Sequence, residues 1–295
     1  MNVIKKMVLT GVVFTKALAT VAANTNDCTL CDKGSVIRDI VYAPELGRFG
    51  LGDLYLPSSA SCETPVVLTI HGGGWCALDR ESLRGISEFF WRDLGFAAFN
   101  IEYRLARSAK ASTRWPACGD DCLKAANWIF SDGFRSVAGF TPKKIWVCGA
   151  SSGGHLSLWT LVNLPPEKIA GCISISSIGD PLPDFRAHRV RYENLFGADV
   201  SEGSLAVMNP ILKIKSGMAP VLCTHATGDR VVPIGSHKAF ADAYRAAGNV
   251  CEFFEYPTNI RSTSGGHCIW LLKLEPHRLI PEIESKIAAF VARTR

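Results

Sequence analysis

The first constraints on this sequence come from what it lacks. It contains no internal repeat, no low-complexity tract and no linker between regions of different composition, which excludes solenoids, fibrous proteins and strings of small domains. It has little excess of either charge: 32 Lys and Arg stand against 27 Asp and Glu in 295 residues. Such a balance carries no electrostatic footprint for nucleic acid, and no such partner is inferred. It lacks the cysteine spacing of a zinc site, since Cys28-x-x-Cys31 has no matching second pair and Cys118-x-x-x-Cys122 is wrongly spaced. No metal or cofactor is therefore expected. What remains, 47% apolar and 20% charged residues, is the composition of an ordinary globular protein, long enough for one large α/β domain or two small ones.

The N-terminus reads as a targeting segment. Lys5 and Lys6 precede an apolar run from Met7 to Ala19 that is too short to span a membrane comfortably, and Val21-Ala22-Ala23 supplies the small residues of a cleavage site. A secretory signal over residues 1–23 is expected, leaving a mature chain with no membrane span that is secreted or periplasmic. Those residues carry three lysines and no acid, so the formal charge of +5 falls to +2 without them. Eleven cysteines is an odd number, so at least one is unpaired within the monomer. Cys148, Cys172 and Cys223 lie in strand-like runs as buried thiols. Cys28, Cys31, Cys62, Cys118, Cys122, Cys251 and Cys268 are the disulfide candidates if the chain is exported.

Hydrophobic periodicity orders the rest. Strands are expected over residues 35–42, 51–56, 65–70, 96–103, 145–148, 169–174, 218–225 and 250–256. Helices are expected over 82–94, from a cap at Asp120 or Asp121 through 130, over 155–164, from a cap at Ser236 to a stop at Gly248, and from Pro281 onward. The first two strands form an antiparallel entry pair. The alternation beyond them predicts one α/β domain over residues 24–295, with a mostly parallel sheet of about eight strands and helices on both faces. Residues 176–215 fall outside that frame, as a modest lid or a set of substrate loops.

Two motifs carry chemistry. Gly149-Ala150-Ser151-Ser152-Gly153 is a G-x-S-x-G set between a buried strand and a helix. That context holds a serine out at a sharp turn, where an adjacent base can activate its otherwise weak hydroxyl nucleophile. His71-Gly72-Gly73-Gly74-Trp75 follows another strand and bares backbone N–H groups that can donate to a developing oxyanion.

Together these motifs resemble the α/β-hydrolase superfamily, and more narrowly its esterase branch with an HGGGW loop, which includes acetyl-xylan and feruloyl esterase-like carboxylesterases. The resemblance runs through HGGGW, IEYRLA (Ile101 to Ala106), GASSGG, THATGDRVVP and GGH, covering essentially the whole mature chain. It departs from the usual pattern at Ser152, where the family has Ala, and at Arg107-Ser108, where Pro-Glu is usual. The resemblance implies an α/β-hydrolase fold and a triad in the order Ser, Asp, His: Ser151, Asp229 in its Gly-Asp-Arg-Val-Val-Pro loop, and His267 in Gly-Gly-His. The oxyanion donors are then the N–H groups of Gly73, Gly74 and Ser152, with Trp75, and also Trp115, offering flat surfaces to a sugar ring. His71 belongs to the oxyanion loop, His155 to the following helix and His225 to a strand end, while His188, His237 and His277 read as surface residues. Asp180, Asp184 and Glu255 are weaker acid candidates. The implied activity is serine carboxylesterase on short-chain esters, chiefly acetyl esters of a small molecule or carbohydrate. The alternatives are a kynurenine-formamidase-like amidase, which shares a similar glycine loop, and a hydrolase-fold binding protein without turnover.

Overall fold

A computed structural model describes residues 28–31, 34–257, 265–267 and 279–294. The expected signal segment over 1–23, the side chains of Cys28 and Cys31, and Cys268 lie outside the described residues.

Among the described residues nine strands form one sheet in the order β1-β2-β3-β5-β4-β6-β7-β8-β9. β1 (Cys28–Cys31), β2 (Gly34–Val41) and β3 (Leu51–Pro57) are antiparallel, and β3 joins antiparallel to β5 (Ala97–Ile101). From β5 the sheet is parallel through β4 (Val66–Ile70), β6 (Ile145–Ala150), β7 (Ile169–Ile175), β8 (Val221–Ala226) and β9 (Cys251–Tyr256). The central strands are covered on both faces, which is why they read as unbroken apolar runs. In β6, Ile145 and Val147 enter one core and Trp146, Cys148 and Ala150 the other. Phe89 and Phe90 of α1 (Arg84–Arg92) and Phe290 of α8 (Pro281–Thr294) pack into the second core. The first core takes Cys122 and Ala126 of α2 (Ala117–Trp128), Leu156 and Leu158 of α4 (Ser152–Asn163), and Phe240 and Tyr244 of α7 (Ile234–Ala246). Helix α4 is buried from Ser152 to Val162, which explains a sequence apolar on nearly every side.

Several expectations are corrected. CTLC, outside the expected strands, forms an edge strand. Helix α2 begins at Ala117, ahead of both proposed caps, and Asp121 instead accepts Arg104 Nη2 at 2.6 Å with its side chain fully buried. Ser236 is inside α7, where its hydroxyl donates to the Asp180 carbonyl oxygen at 2.6 Å. A short helix, α3 (Asp132–Ala138), is capped by Ser131, whose hydroxyl accepts from the Gly133 and Phe134 amides. Residues 176–215 include α5 (Pro181–Ala187) and α6 (Arg189–Phe196) rather than loops alone. Of the disulfide candidates, Cys62, Cys118, Cys122 and Cys251 are free thiols, as are Cys76, Cys148, Cys172 and Cys223. Cys118 and Cys122 are one helical turn apart in α2 and both fully buried, so they pack as small hydrophobes.

Candidate active site

The turn between β6 and α4 is built by exclusion. A Cβ at Gly149 would overlap the Gly153 carbonyl, and one at Gly153 would overlap the carbonyl oxygens of Ile70 and His71. With both positions bare, the chain reverses at Ser151, which takes φ 58° and ψ −123°. For a residue with a Cβ this conformation costs about 1–3 kcal/mol, and it persists only where the surroundings enforce it. Here the Ser151 amide donates to the Ile175 carbonyl oxygen at 2.8 Å, and the Ser151 carbonyl accepts the His155 amide at 3.0 Å. The hydroxyl is thus fixed at the N-terminus of α4, where unpaired amides and the helix dipole favour negative charge.

The structure brings three of the expected residues into line. His267 Nε2 lies 2.9 Å from Ser151 Oγ, and His267 Nδ1 lies 2.7 Å from Asp229 Oδ2. The histidine turn is held against the acid loop because a Cβ at Gly265 would overlap the Gly228 carbonyl. Asp229 Oδ1 accepts the Val231 and Val232 amides at 2.8 and 2.9 Å, and Oδ2 also lies 3.1 Å from His225 Nε2. Burial alone would raise this carboxyl, but hydrogen bonds from His225, His267 and the Val232 amide outweigh it and hold it well below the usual carboxylate range. Asp229 therefore stays ionised, which fixes the His267 tautomer with a proton on Nδ1 and a bare Nε2 facing the serine.

The glycine loop lies against the same turn. A Cβ at Gly72 would come within 3.2 Å of Ser151 Cβ. Gly73 and Gly74 have φ of 109° and 59°, in the left-handed range that glycine occupies without a steric penalty. The Gly73 carbonyl accepts the Cys76 and Ala77 amides at 3.1 and 3.0 Å, closing the loop on itself. Behind it, His71 Nδ1–H donates to the Gly72 carbonyl at 2.7 Å. Ser152, fully buried, opens α4.

Trp75 is a correction. Its ring is fully buried, so it has no face to offer a sugar. Its Nε1–H donates to His155 Nδ1 at 3.3 Å, and the His155 Nε2–H donates to the Met208 carbonyl at 2.9 Å. Burial pushes His155 down to about 4, only partly offset by that bond. It is a neutral strut under the glycine loop. Trp115 is half-buried, its ring edge-on to His155 and Trp159 and its Nε1–H donating to Val207 O at 3.2 Å. None of the remaining acid candidates joins the site: Glu255 pairs with Lys238. Asp180 caps α5, and Asp184 is bound by Arg191 and Tyr192. His237, read from sequence as a surface residue, is fully buried.

Sequence reasoning missed the supports of the site. Tyr103 touches the glycine loop and His225 touches Asp229, with His237 behind His225, through strand ends and a helix that only the sheet order brings near. The one available signal was position, since Tyr103 and His71 both stand just past the ends of strands.

The chain is similar to known ester hydrolases. The family profile described as BD-FAE matches residues 52–169, and that of the prolyl oligopeptidase family matches residues 114–259. The carboxylic ester hydrolase LipN of Mycobacterium tuberculosis is 28% identical over 225 residues, covering 67% of this chain and 56% of LipN. The versiconal hemiacetal acetate esterase of Aspergillus parasiticus is 26% identical over 162 residues, covering 52% of this chain and 48% of that enzyme. The chain thus spans about half the length of these two relatives. Among solved structures, a truncated carbohydrate esterase from gut microbiota superposes with a TM-score of 0.71 over 89% of this chain and 96% of that one, at 19% identity. That likeness is one of fold.

Proposed function

Since the chain is a member of the α/β-hydrolase esterase/lipase family, we propose that it is a serine carboxylesterase that cleaves short-chain acyl esters through an acyl-enzyme. The observation that carries this reading is the unbroken line from Ser151 Oγ through His267 to Asp229, at 2.9 and 2.7 Å. Ser151 attacks the ester carbonyl carbon as His267 Nε2 takes its proton, and Asp229 stabilises the imidazolium so formed. The N–H groups of Ser152, Gly73 and Gly74 receive the oxyanion, each such donor worth about 3 kcal/mol of barrier. His267 then returns the proton to the departing alcohol. A water activated by the same nitrogen releases the acid and restores the serine.

The finer proposal is a preference for acetyl esters of carbohydrate, in an exported enzyme. It is supported by the basic-then-apolar residues of 1–23 and by the likeness to a carbohydrate esterase. Each methylene added to an acyl group changes binding by only about 1–3 kcal/mol, so the preference should be graded. Fluorophosphonate labelling of wild type and of Ser151→Ala tests the chemistry: failure of folded wild type to label removes the serine-hydrolase reading. Comparing kcat/KM for acetyl, butyryl and octanoyl esters, with acetylated xylan alongside, tests the substrate. Octanoyl turned over best would replace the deacetylase reading with a lipase-like one.

A further inference from the structure

Behind the triad lies a second pair of histidines that the mechanism above does not use. His225, the fifth residue of β8, is fully buried, and its Nε2 lies 3.1 Å from Asp229 Oδ2 and 3.2 Å from the Val232 carbonyl oxygen. Both neighbours are acceptors, so this nitrogen must carry a hydrogen. On the other side of the ring, His225 Nδ1 faces His237 Nδ1 of α7 at 3.1 Å. Two bare ring nitrogens at that distance would repel, so one of them also carries a hydrogen. The His237 ring is fully buried and its Nε2 has no hydrogen-bond partner. Buried orphan N–H groups are rare, whereas an orphan lone pair is better tolerated. One hydrogen therefore lies between the two Nδ1 atoms, linking the rings. On its other side His237 Nδ1 also accepts the buried Ser177 amide at 3.4 Å.

The result is that His225, backed by His237, meets the His267 donor at a single carboxylate oxygen. Resting on the esterase reading, we propose that His225 is a positioning residue for the reaction, anchoring the Asp229 carboxylate and, by sharing Oδ2 with His267, limiting how strongly the triad histidine holds its proton. His237 in turn backs the far side of the His225 ring. Two donors on one oxygen divide its charge, so less of it stabilises the His267 imidazolium. His237 is suited to this role because burial, and the adjacent His225, push it well below the ordinary imidazole range and keep it neutral.

The other titratable groups around the pair are engaged elsewhere. On β9, Glu255, the register partner of His225, pairs with Lys238 of α7 at 2.8 Å, and Tyr256 contacts Ser176 Oγ at 3.4 Å. Asp184 of α5 is held by Arg191 at 3.0 Å, and Arg191 reaches the Val231 carbonyl at 3.4 Å. From α8, Lys286 and Arg293 pair with Glu252, while its core-facing side chains are apolar.

The test is kinetic, on the full chain with p-nitrophenyl acetate. In His225→Leu the donor is gone, while His225→Gln places an amide N–H close to where Nε2 stood. For His225→Leu, kcat should fall about tenfold to a hundredfold with KM changed less than about threefold. The acid limb of kcat/KM, which reports the free His267, should move up by about half a unit to one unit, since the freed carboxylate binds the imidazolium more strongly. His225→Gln should recover most of kcat and return the limb toward wild type. Circular dichroism and fluorophosphonate labelling identify which variants are folded. A folded His225→Leu with an unmoved limb, or a folded His225→Gln as impaired as His225→Leu, overturns the proposal. If His225→Leu does not fold, His225→Phe, which also lacks the donor, takes its place, and a folded His225→Phe with an unmoved limb overturns the proposal. Failure of wild type itself to hydrolyse the ester would instead strike the esterase reading.

Discussion

Tyr103 lies flat against His71, the ring centroids 4.2 Å apart and the planes 14° from parallel. The Tyr103 hydroxyl donates to the carbonyl oxygens of His71 and Gly72 at 3.0 and 3.2 Å. β4 and β5 are paired in parallel, Ile70 opposite Ile101, so the residues just past their ends meet above the sheet. The oxyanion loop is thereby tied to a rigid strand end rather than to another loop. Replacing Tyr103 with Phe keeps the stacked ring and removes the tie. We expect kcat to fall about tenfold with little change in KM, because loop position matters most for the oxyanion. Stability should fall by about 1–3 kcal/mol, the cost of weakening two buried carbonyl contacts. Steady-state kinetics and urea unfolding check both; an unchanged kcat would mean that the loop is held elsewhere.

His155 separates support from chemistry. It touches Trp75 and the Met208 carbonyl, whereas the Ser151 hydroxyl donates to His267 Nε2. His155→Leu leaves a buried indole N–H and a buried carbonyl without partners, at about 1–3 kcal/mol for each. Stability in urea should drop accordingly, while kcat of the folded variant stays within about tenfold of wild type. His267→Ala should instead remove nearly all turnover with stability little changed, since members of a triad act as a unit. Equal loss of turnover in the two variants would overturn His267 as the base.

The glycines divide by what surrounds them. At Gly153 an added Cβ would overlap the Ile70 and His71 carbonyls, whereas at Gly74 it would meet nothing within 4 Å. Gly153→Ala should therefore yield little folded protein. Gly74→Ala, at φ 59°, carries only the left-handed backbone penalty of about 1–2 kcal/mol. It should fold, and any relaxation of the strained loop should appear as a lower kcat with KM preserved. Expression yield with circular dichroism tests the first, and kinetics tests the second. A well-folded Gly153→Ala would contradict the packing described here.

The sequence was legible where one principle acts alone. Strand β4 and helix α8 follow directly from an unbroken apolar run and from Ile283, Ile287 and Phe290 at helical spacing. The triad residues came from motif and chain order, and the structure draws them together across 116 residues of sequence. Legibility failed where tertiary contact decides. Trp75 reads as a sugar platform because an aromatic beside a glycine loop carries no sign of being covered by Tyr192 and His155. Asp121 reads as a helix cap because short acids favour caps, but Arg104, seventeen positions earlier, claims its carboxylate. His225 and His237 lie twelve positions apart on a strand and a helix, and no local pattern brings their Nδ1 atoms together.

Buried neutral histidines set the acid side of stability. His155 falls from an ordinary 6.5 to about 4 on burial, and His237 moves in the same direction. Between those values the unfolded chain takes up a proton at each ring that the native chain refuses. Stability is then full above about pH 6.5 and declines as the pH falls toward about 4, by up to about 1.4 kcal/mol per pH unit for each ring. Asp229, held below its ordinary 3.8, adds a loss in the same direction only below that value. At the alkaline end, burial raises the Cys118 and Cys172 thiols from 9.0 to about 12. The unfolded chain then loses protons that the native chain keeps, so stability should decline again above about pH 9. Urea midpoints measured at about pH 7, 5.5 and 4.5 should fall steadily in wild type. His155→Leu, less stable at every pH, should show a slope shallower by the contribution of one ring. A wild-type midpoint that stays flat across that range would mean that these rings are protonated in the native state, and the neutral assignment of both would fail with it.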